Sequence, residues 1–432
     1  MKPETQRYNS ATHLSLLIGG QMVSTLGNSL YLIVVVLYLV DLTDNAALVG
    51  TYHFLTFLPG FILAPIAGAI ADMVSRKKLI VGSDIARGLV MVTTGLLIIF
   101  RGMDAVAVVL VATVLVGSAN TLFFPAVNAI VPDIVTNPDR LRPANSLRGS
   151  LVQLANLSGN AIGGTIYTVL GAPITFIING AGYLVSAFQE LFIRVSPELT
   201  GAIATDSPRL GTGAGARLRA ALDRSLNDIR TGLQFSFGRR NLRTIILLQF
   251  VANLLYPPIV VALPFILRDV IGVSEAYFGY MLAATLGGGI VGYVIMATAD
   301  IDGPREIVIF RGAYVCLALG LFAASSLSIP VMFAALPLCG AGVSVAHVSS
   351  MTVLQRAVPY ERRGRVFAFL EMATHLAAPL SYGLSGVGVE LLRGRLWMLF
   401  PAIAAAATVL AITVSIDRAL PSLFISGSIS GE

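Results

Sequence analysis

The sequence predicts an all-α membrane protein of about twelve transmembrane helices in two pseudo-symmetric six-helix bundles, on three observations. Hydrophobic residues make up 56% of the 432 positions and charged residues only 12%, against roughly 25% charged in ordinary soluble domains. Apolar runs near the ~20 residues that cross a hydrocarbon core as a helix recur along the whole chain. A polar, basic stretch from 195 to 241 then divides those runs into six and six.

In the first bundle, residues 1–194, the runs are Leu14 to Val40, Ala46 to Ile70, Leu79 to Phe100, Ala105 to Val131, Ser146 to Leu170 and Ala172 to Ile193. The first is too long for a secretory signal and no cleavage site follows it, so it is read as a true span. The stretch 195–241 reads as a linker whose second part, with Leu218, Leu222, Leu226, Ile229 and Leu233 at helical spacing, forms a short surface helix. The second bundle, 242–432, holds Leu242 to Leu267, Ala276 to Ala299, Ile307 to Leu327, Ile329 to Val358, Val366 to Leu392 and Leu396 to Ile416.

Basic loops stay on the cytoplasmic side of a membrane. Of the 29 basic residues, only Arg101, Arg268, Arg393 and Arg395 fall on the face opposite the termini, and Arg87 lies within a helix. Both termini and the linker are therefore expected in the cytoplasm, with the chain a multi-pass protein of the cell membrane. The same bias accounts for the net charge of +6 without a nucleic-acid partner. Cys316 and Cys339 sit inside apolar runs and imply no disulfide framework or metal cluster.

An offset of 227 to 229 positions places Gln21 on Gln249, Gly50 on Gly279, Ala71-Asp72 on Ala299-Asp300, Asn120 on His347 and Val131-Pro132 on Val358-Pro359. Duplicated halves of this kind build many secondary transporters, with the substrate site at the repeat interface. Polar side chains inside lipid must face partners or water, and here they form stripes. Gln21, Ser24, Thr25 and Asn28 share one face of the first helix, and Gln249, Asn253 and Tyr256 one face of the seventh. Gln153, Asn156 and Asn160 lie in the fifth helix, Asn120 and Asn128 in the fourth, and His347 in the tenth. Singly, each amide reads as interhelical glue at roughly 1 kcal/mol; stripes in both halves read as a wet, uncharged cavity, with Tyr31, Phe124 and Tyr256 as aromatic walls.

Between the second and third runs, Gly68, Asp72, Arg76, Lys77 and Lys78 resemble the G-x-x-x-D-R-x-G-R-R loop of the major facilitator superfamily. Met73 stands where that signature has a basic residue and Ser75 where it has glycine. Asp84 with Arg87, the segments FFPAVNAIVPDIV, LRPANSL and VPYERRGRVFAF, and Gly159, Gly163 and Gly164 are similar to the drug:proton antiporter branch, which includes macrolide and siderophore exporters; Asn160 replaces the proline of its G-P-x-x-G-G motif. The resemblance implies a secondary transporter with the major facilitator fold that exports a drug-like or siderophore-like solute by proton antiport. A lipid or lysolipid flippase, a proton-coupled importer and a non-transporting membrane sensor are the alternatives.

In this reading Gly68, Asp72, Arg76 and Asp133 form an inner gate. Asp72 faces the N-terminus of the eleventh helix, where the helix dipole favours an anion, and Arg76 pairs with Asp133. Asp84 and Arg87, at i and i+3, form an internal ion pair. Glu371 and His375, at i and i+4 in the eleventh helix, are the proton-coupling candidates, because a desolvated carboxyl and an imidazole both titrate within reach of neutrality; Glu190 and His53 are weaker ones. His13, His53, His347 and His375 lie on separate segments, and no nucleotide-binding glycine loop occurs, so neither an enzyme nor a cofactor is expected. The expected partners are a small-molecule substrate, protons and the bilayer, with the monomer as the functional unit.

Overall fold

The computed structural model describes residues 10–101, 105–135, 137–194, 223, 227, 230–274, 276–298, 303–358, 360–417, 420–421 and 424. Its described elements are helical. In chain order they are α1 Ser10–Thr43, α2 Ala46–Met73, α3 Arg76–Arg101 and α4 Ala105–Ile134. The helical stretch Pro138–Leu191 is broken at Gly171, whose φ of 71° and ψ of 170° lie outside the helical region, so it forms two limbs, α5 (138–170) and α6 (172–191). Then come α7 Arg240–Phe265, α8 Tyr277–Thr298, α9 Gly303–Ala324, α10 Ile329–Ala357, α11 Tyr360–Leu391 and α12 Leu399–Ile416. Residues 230–237 of the linker are helical as well.

Length and apolarity qualify ten of these stretches as candidate membrane spans among the described residues, Pro143–Leu191 counting as one. The thirty-four residues of α1 reach about 50 Å at 1.5 Å per residue, more than a hydrocarbon core requires. Helix α7 contains Pro257, Pro258 and Pro264. A proline removes a backbone donor and crowds the preceding turn, and past Pro264 the chain runs into a wider π turn, Ile266–Ile271, closed by Gly272 at φ 74°.

Helices in lipid pack through small residues that let backbones approach, and both halves do this. Gly159 of α5 lies against Leu26 and Ser29 of α1, and Gly88 of α3 against Gly180 and Leu184 of α6. In the C-terminal half Gly340 of α10 meets Thr285 of α8, and Gly342 meets Ala313 of α9.

The chain forms two compact units. One comprises 1–35 with 58–223, and the other 36–57 with 224–432. The second unit thus contains the end of α1 and the first part of α2, where Gly50 packs directly on Gly386 of α11.

Local contacts repeat between the halves. In one, the Ser29 hydroxyl of α1 donates to Asn156 Oδ1 of α5 at 2.7 Å; in the other, the Ser381 hydroxyl of α11 donates to the Leu254 carbonyl of α7 at 2.9 Å. Both bonds join residues 127 positions apart. At the start of α3, Lys77 caps α6 by donating to the Leu191 carbonyl at 2.6 Å. Within α9, Arg311 does the same for α12, donating to the Val414 and Asp417 carbonyls at 3.2 and 3.0 Å.

Candidate transport site

At the basic end of the N-terminal unit, Arg76 opens α3 and reaches the end of α4. Its guanidinium donates to both Asp133 carboxylate oxygens at 2.6 Å and to the Ala129 carbonyl at 3.0 Å. Ile80, Ile130, Ile134 and Val135 pack the same region into a buried apolar cluster, which holds the two helix ends in register. Glu306 at the start of α9 and Arg356 at the end of α10 form a pair at 2.9 Å. That is the same arrangement with the charges exchanged between the elements. The side chains of Gly68 and Asp72 lie outside the described residues.

Deeper in the same unit a charged cluster joins four helices. Asp84 and Arg87 of α3 are ion-paired and buried, at 0% and 4% exposure of their side chains. The second arm of the Arg87 guanidinium donates to Asn120 Oδ1 of α4 at 2.6 Å. Its faces are covered by the rings of Phe123, 4.0 Å away, and Tyr183, 4.6 Å away, positions in which a cation is stabilised by the ring quadrupole. The Tyr183 hydroxyl donates in turn to Asn28 Oδ1 of α1 at 3.1 Å. Glu190 of α6 is fully buried, and the side chains of Asp84 and Ser186 lie within interaction range of it.

The polar stripes fall in different settings. Asn28, Asn120 and Asn156 each accept a side-chain hydrogen bond from a neighbouring helix, from Tyr183, Arg87 and Ser29 respectively. Gln21 and Gln249 are buried, with Gln21 Oε1 and Gln249 Nε2 lacking a partner. Asn253 turns back to donate to the Gln249 carbonyl at 2.8 Å. Thr25 is half-buried, while Tyr256 and His347 are exposed. An apolar groove of about 310 Å³ in the C-terminal unit is lined by residues that include Leu254, Pro258, Ser381 and Leu399; none of the stripe residues lines it. His53 is buried, its ring stacked 4.4 Å from that of Tyr382, with its Nδ1 3.0 Å from the Val49 carbonyl. The side chains of Glu371 and His375 lie outside the described residues, although their backbone is helical.

At the end of α1 a second polar cluster stands that the polar stripes do not foretell. The chain leaves α1 through Asp44, whose φ of 47° is left-handed, a conformation that aspartate tolerates better than most residues. Asn45 Oδ1 then caps α2 by accepting from the Leu48 amide at 3.2 Å. The Asp44 carboxylate is ion-paired with both Arg268 and Arg393. Glu390 accepts from the Ala46 amide at 2.9 Å and from Arg393 at 3.3 Å. Slight burial alone would raise the Asp44 carboxyl, but the hydrogen bonds from Arg268 and Arg393 outweigh it and hold the group below its ordinary value. The available signal in the sequence was the scarcity of arginine on this face: two of its few basic residues converge on one aspartate.

Comparison with known proteins places these features in a family context. The sequence profile of the Major Facilitator Superfamily matches residues 17–382 and again 245–426. Macrolide efflux protein A of Streptococcus pyogenes is 21% identical over 386 residues, covering 88% of this chain and 90% of its own. The multidrug efflux pump Tap of Mycolicibacterium fortuitum is 26% identical over 339 residues, covering 76% and 77%. Among solved structures, a bacterial homologue of the iron transporter ferroportin in an inward-facing state superposes with a TM-score of 0.67 at 16% identity, over 94% of this chain and 99% of that one. At that identity the likeness is one of fold.

Proposed function

Because the chain belongs to the major facilitator superfamily, we propose that this transporter is a secondary exporter that moves a small, largely organic solute out of the cell by alternating access, in exchange for protons. The observation that carries the reading is the full-length likeness to efflux proteins: macrolide efflux protein A aligns over 88% of the chain. The family assignment also sets the chain apart from enzymes.

Polar clusters at the two ends of the helices support alternating access. At the end with the basic loops, which we place in the cytoplasm, Arg76 and Asp133, with Gly68 and Asp72 of the same loop, form the inner gate. At the opposite end, which we place outside, Asp44 clamps to Arg268 and Arg393 and Gly50 packs on Gly386. These outer contacts use exposed ion pairs worth no more than about 1 kcal/mol each, so they are weak enough to break in every cycle. We assign solute contact to Gln21, Thr25, Asn28, Asn120 and Asn156 in the first half and to Gln249, Asn253, Tyr256 and His347 in the second, side chains that offer an amphiphilic molecule hydrogen bonds without a fixed counter-charge.

The test is flux in proteoliposomes holding the purified full-length protein, with a macrolide as probe and an imposed pH gradient. Uphill macrolide movement that collapses when a protonophore is added is the expected result. Flux that ignores both gradient and protonophore removes proton antiport. The proton-site candidates in α11, Glu371 and His375, are tested in the same vesicles by Glu371→Gln.

A further inference from the structure

The buried cluster of α3 and α6 does not balance its charge. It holds two carboxyl groups, Asp84 and Glu190, each 0% exposed, and one guanidinium, Arg87, 4% exposed. Arg87 is already committed: it is paired with Asp84, bonded to Asn120 at 2.6 Å and enclosed by Phe123 and Tyr183. Asp84 Oδ2, both carboxyl oxygens of Glu190 and the Ser186 hydroxyl oxygen are buried without a hydrogen-bond partner. Two ionised carboxylates here would leave one negative charge uncompensated in a site shut off from water, which proteins avoid by keeping a proton.

We propose that Asp84 and Glu190 together form a proton-binding site that holds one proton between them. In the loaded state a neutral Glu190 carboxyl donates its O–H to Asp84 Oδ2, and the Asp84 carboxylate stays paired with Arg87, so the cluster is neutral. Release transfers that proton to water and leaves a second carboxylate competing for Arg87. The guanidinium is then drawn from Asn120 and from between its two rings, and Tyr183, which bonds Asn28 at 3.1 Å, loses the cation that it covers. Occupancy by a proton is in this way tied to the positions of Asn28 and Asn120, to which the transport reading assigns solute contact.

The surroundings of the site are sparse in other charges. Helix α1 meets it through Gly20, where an added Cβ would lie 2.9 Å from the Ser186 hydroxyl and 3.5 Å from Glu190 Cγ. Helix α4 contributes Asn120 and Phe123, and α6 contributes Tyr183 and Ser186. Among the described residues, the next cations along α3 are Lys78, which is exposed, and Lys77, which donates at 2.6 Å to the carbonyl of Leu191, the residue after Glu190.

The role in coupling rests on the transport reading above; the proton site itself does not. Infrared spectra of the purified full-length protein, recorded across about pH 5 to pH 9, detect the C=O stretch of a buried neutral carboxyl directly. The expected result is such a band near neutral pH that is lost in Glu190→Gln and equally in Asp84→Asn, because neutralising either partner removes the need for the shared proton, and that is kept in Glu371→Gln. Asp84→Asn serves as the second variant should Glu190→Gln fail to fold. Absence of the band from the wild type, or its persistence in both variants, overturns the site. In the macrolide assay, loss of gradient-driven flux in Glu190→Gln supports the coupling role, and wild-type flux in that variant overturns it. Should the wild type itself show no gradient-driven flux while the band behaves as expected, the antiport reading fails and the proton site stands.

Discussion

At the scale of single residues, pairs close in sequence could be read from it and pairs formed by packing could not. Asp84 and Arg87 share a helical face by their spacing alone. Glu190 joins them only because Gly88 lets α3 approach Gly180 and Leu184 of α6, where an added Cβ would stand 2.8 Å from the Leu184 side chain, and nothing in a linear sequence encodes that juxtaposition. Arg76 could be matched to Asp133 because both lie next to loops on the same face. Asp44 is not legible for the opposite reason: it is an acidic residue in a short turn whose partners come from two distant turns, those after α7 and α11. It yields a test of its own. Its carboxyl lies below the ordinary value of 3.8 in the folded protein, so its contribution to stability is present above that value and is lost as pH falls through the lowered one. Thermal unfolding followed from neutral to acidic pH should show wild type and Asp44→Asn converging below about pH 4; parallel curves over the whole range would contradict the clamp.

At the scale of elements, helix positions were legible because lipid demands long apolar runs, and backbone irregularities were not. The boundary between the fifth and sixth runs falls at Gly171, which the structure confirms as a break with φ of 71°. The π turn after α7 has no counterpart in the periodicity, since the residues leading into it, Val260 to Phe265, are uniformly apolar. Glycines that set interhelical distance are equally silent in sequence: the chain has 42, and only the packing distinguishes their roles. At Gly50 an added Cβ would sit 2.6 Å from the Tyr382 carbonyl oxygen and 2.7 Å from Gly386 Cα, both backbone atoms. At Gly383 the nearest atom would be 3.7 Å away, on the Phe54 ring. Gly50→Val should therefore force α2 and α11 apart and cost about 1–3 kcal/mol, whereas Gly383→Ala should be nearly neutral. Unfolding midpoints of the two variants check this, and equal effects would show that the α2–α11 contact is not tight.

At the scale of the whole molecule, the duplicated plan was legible through the near-constant offset, and the structure adds which contacts the duplication preserves. Helix ends are joined by ion pairs in both halves, yet the cation comes from α3 in the first and from α10 in the second. If geometry rather than charge order is what the fold requires, the pair in the C-terminal half can be inverted. Arg356→Glu alone sets an acid against Glu306, whose side chain is 3% exposed, and should destabilise by about 1–3 kcal/mol. Adding Glu306→Arg should restore most of that loss, giving the order found at Arg76 and Asp133. A double variant no more stable than the single one would mean that the order itself matters.

The two charged clusters also differ in their access to dissolved ions. Asp44 is 57% exposed and its arginine partners are each 31% exposed, while Asp84 and Arg87 are sealed from solvent. Ions screen charges in contact with water over a Debye length of about 8 Å at physiological ionic strength, and buried pairs far less. Raising the salt concentration therefore loosens the Asp44 clamp without touching the interior cluster. On the proposed role of that clamp as an outer contact, salinity of the medium bathing it should shift opening, a dependence that a salt titration separates cleanly from any dependence on protons.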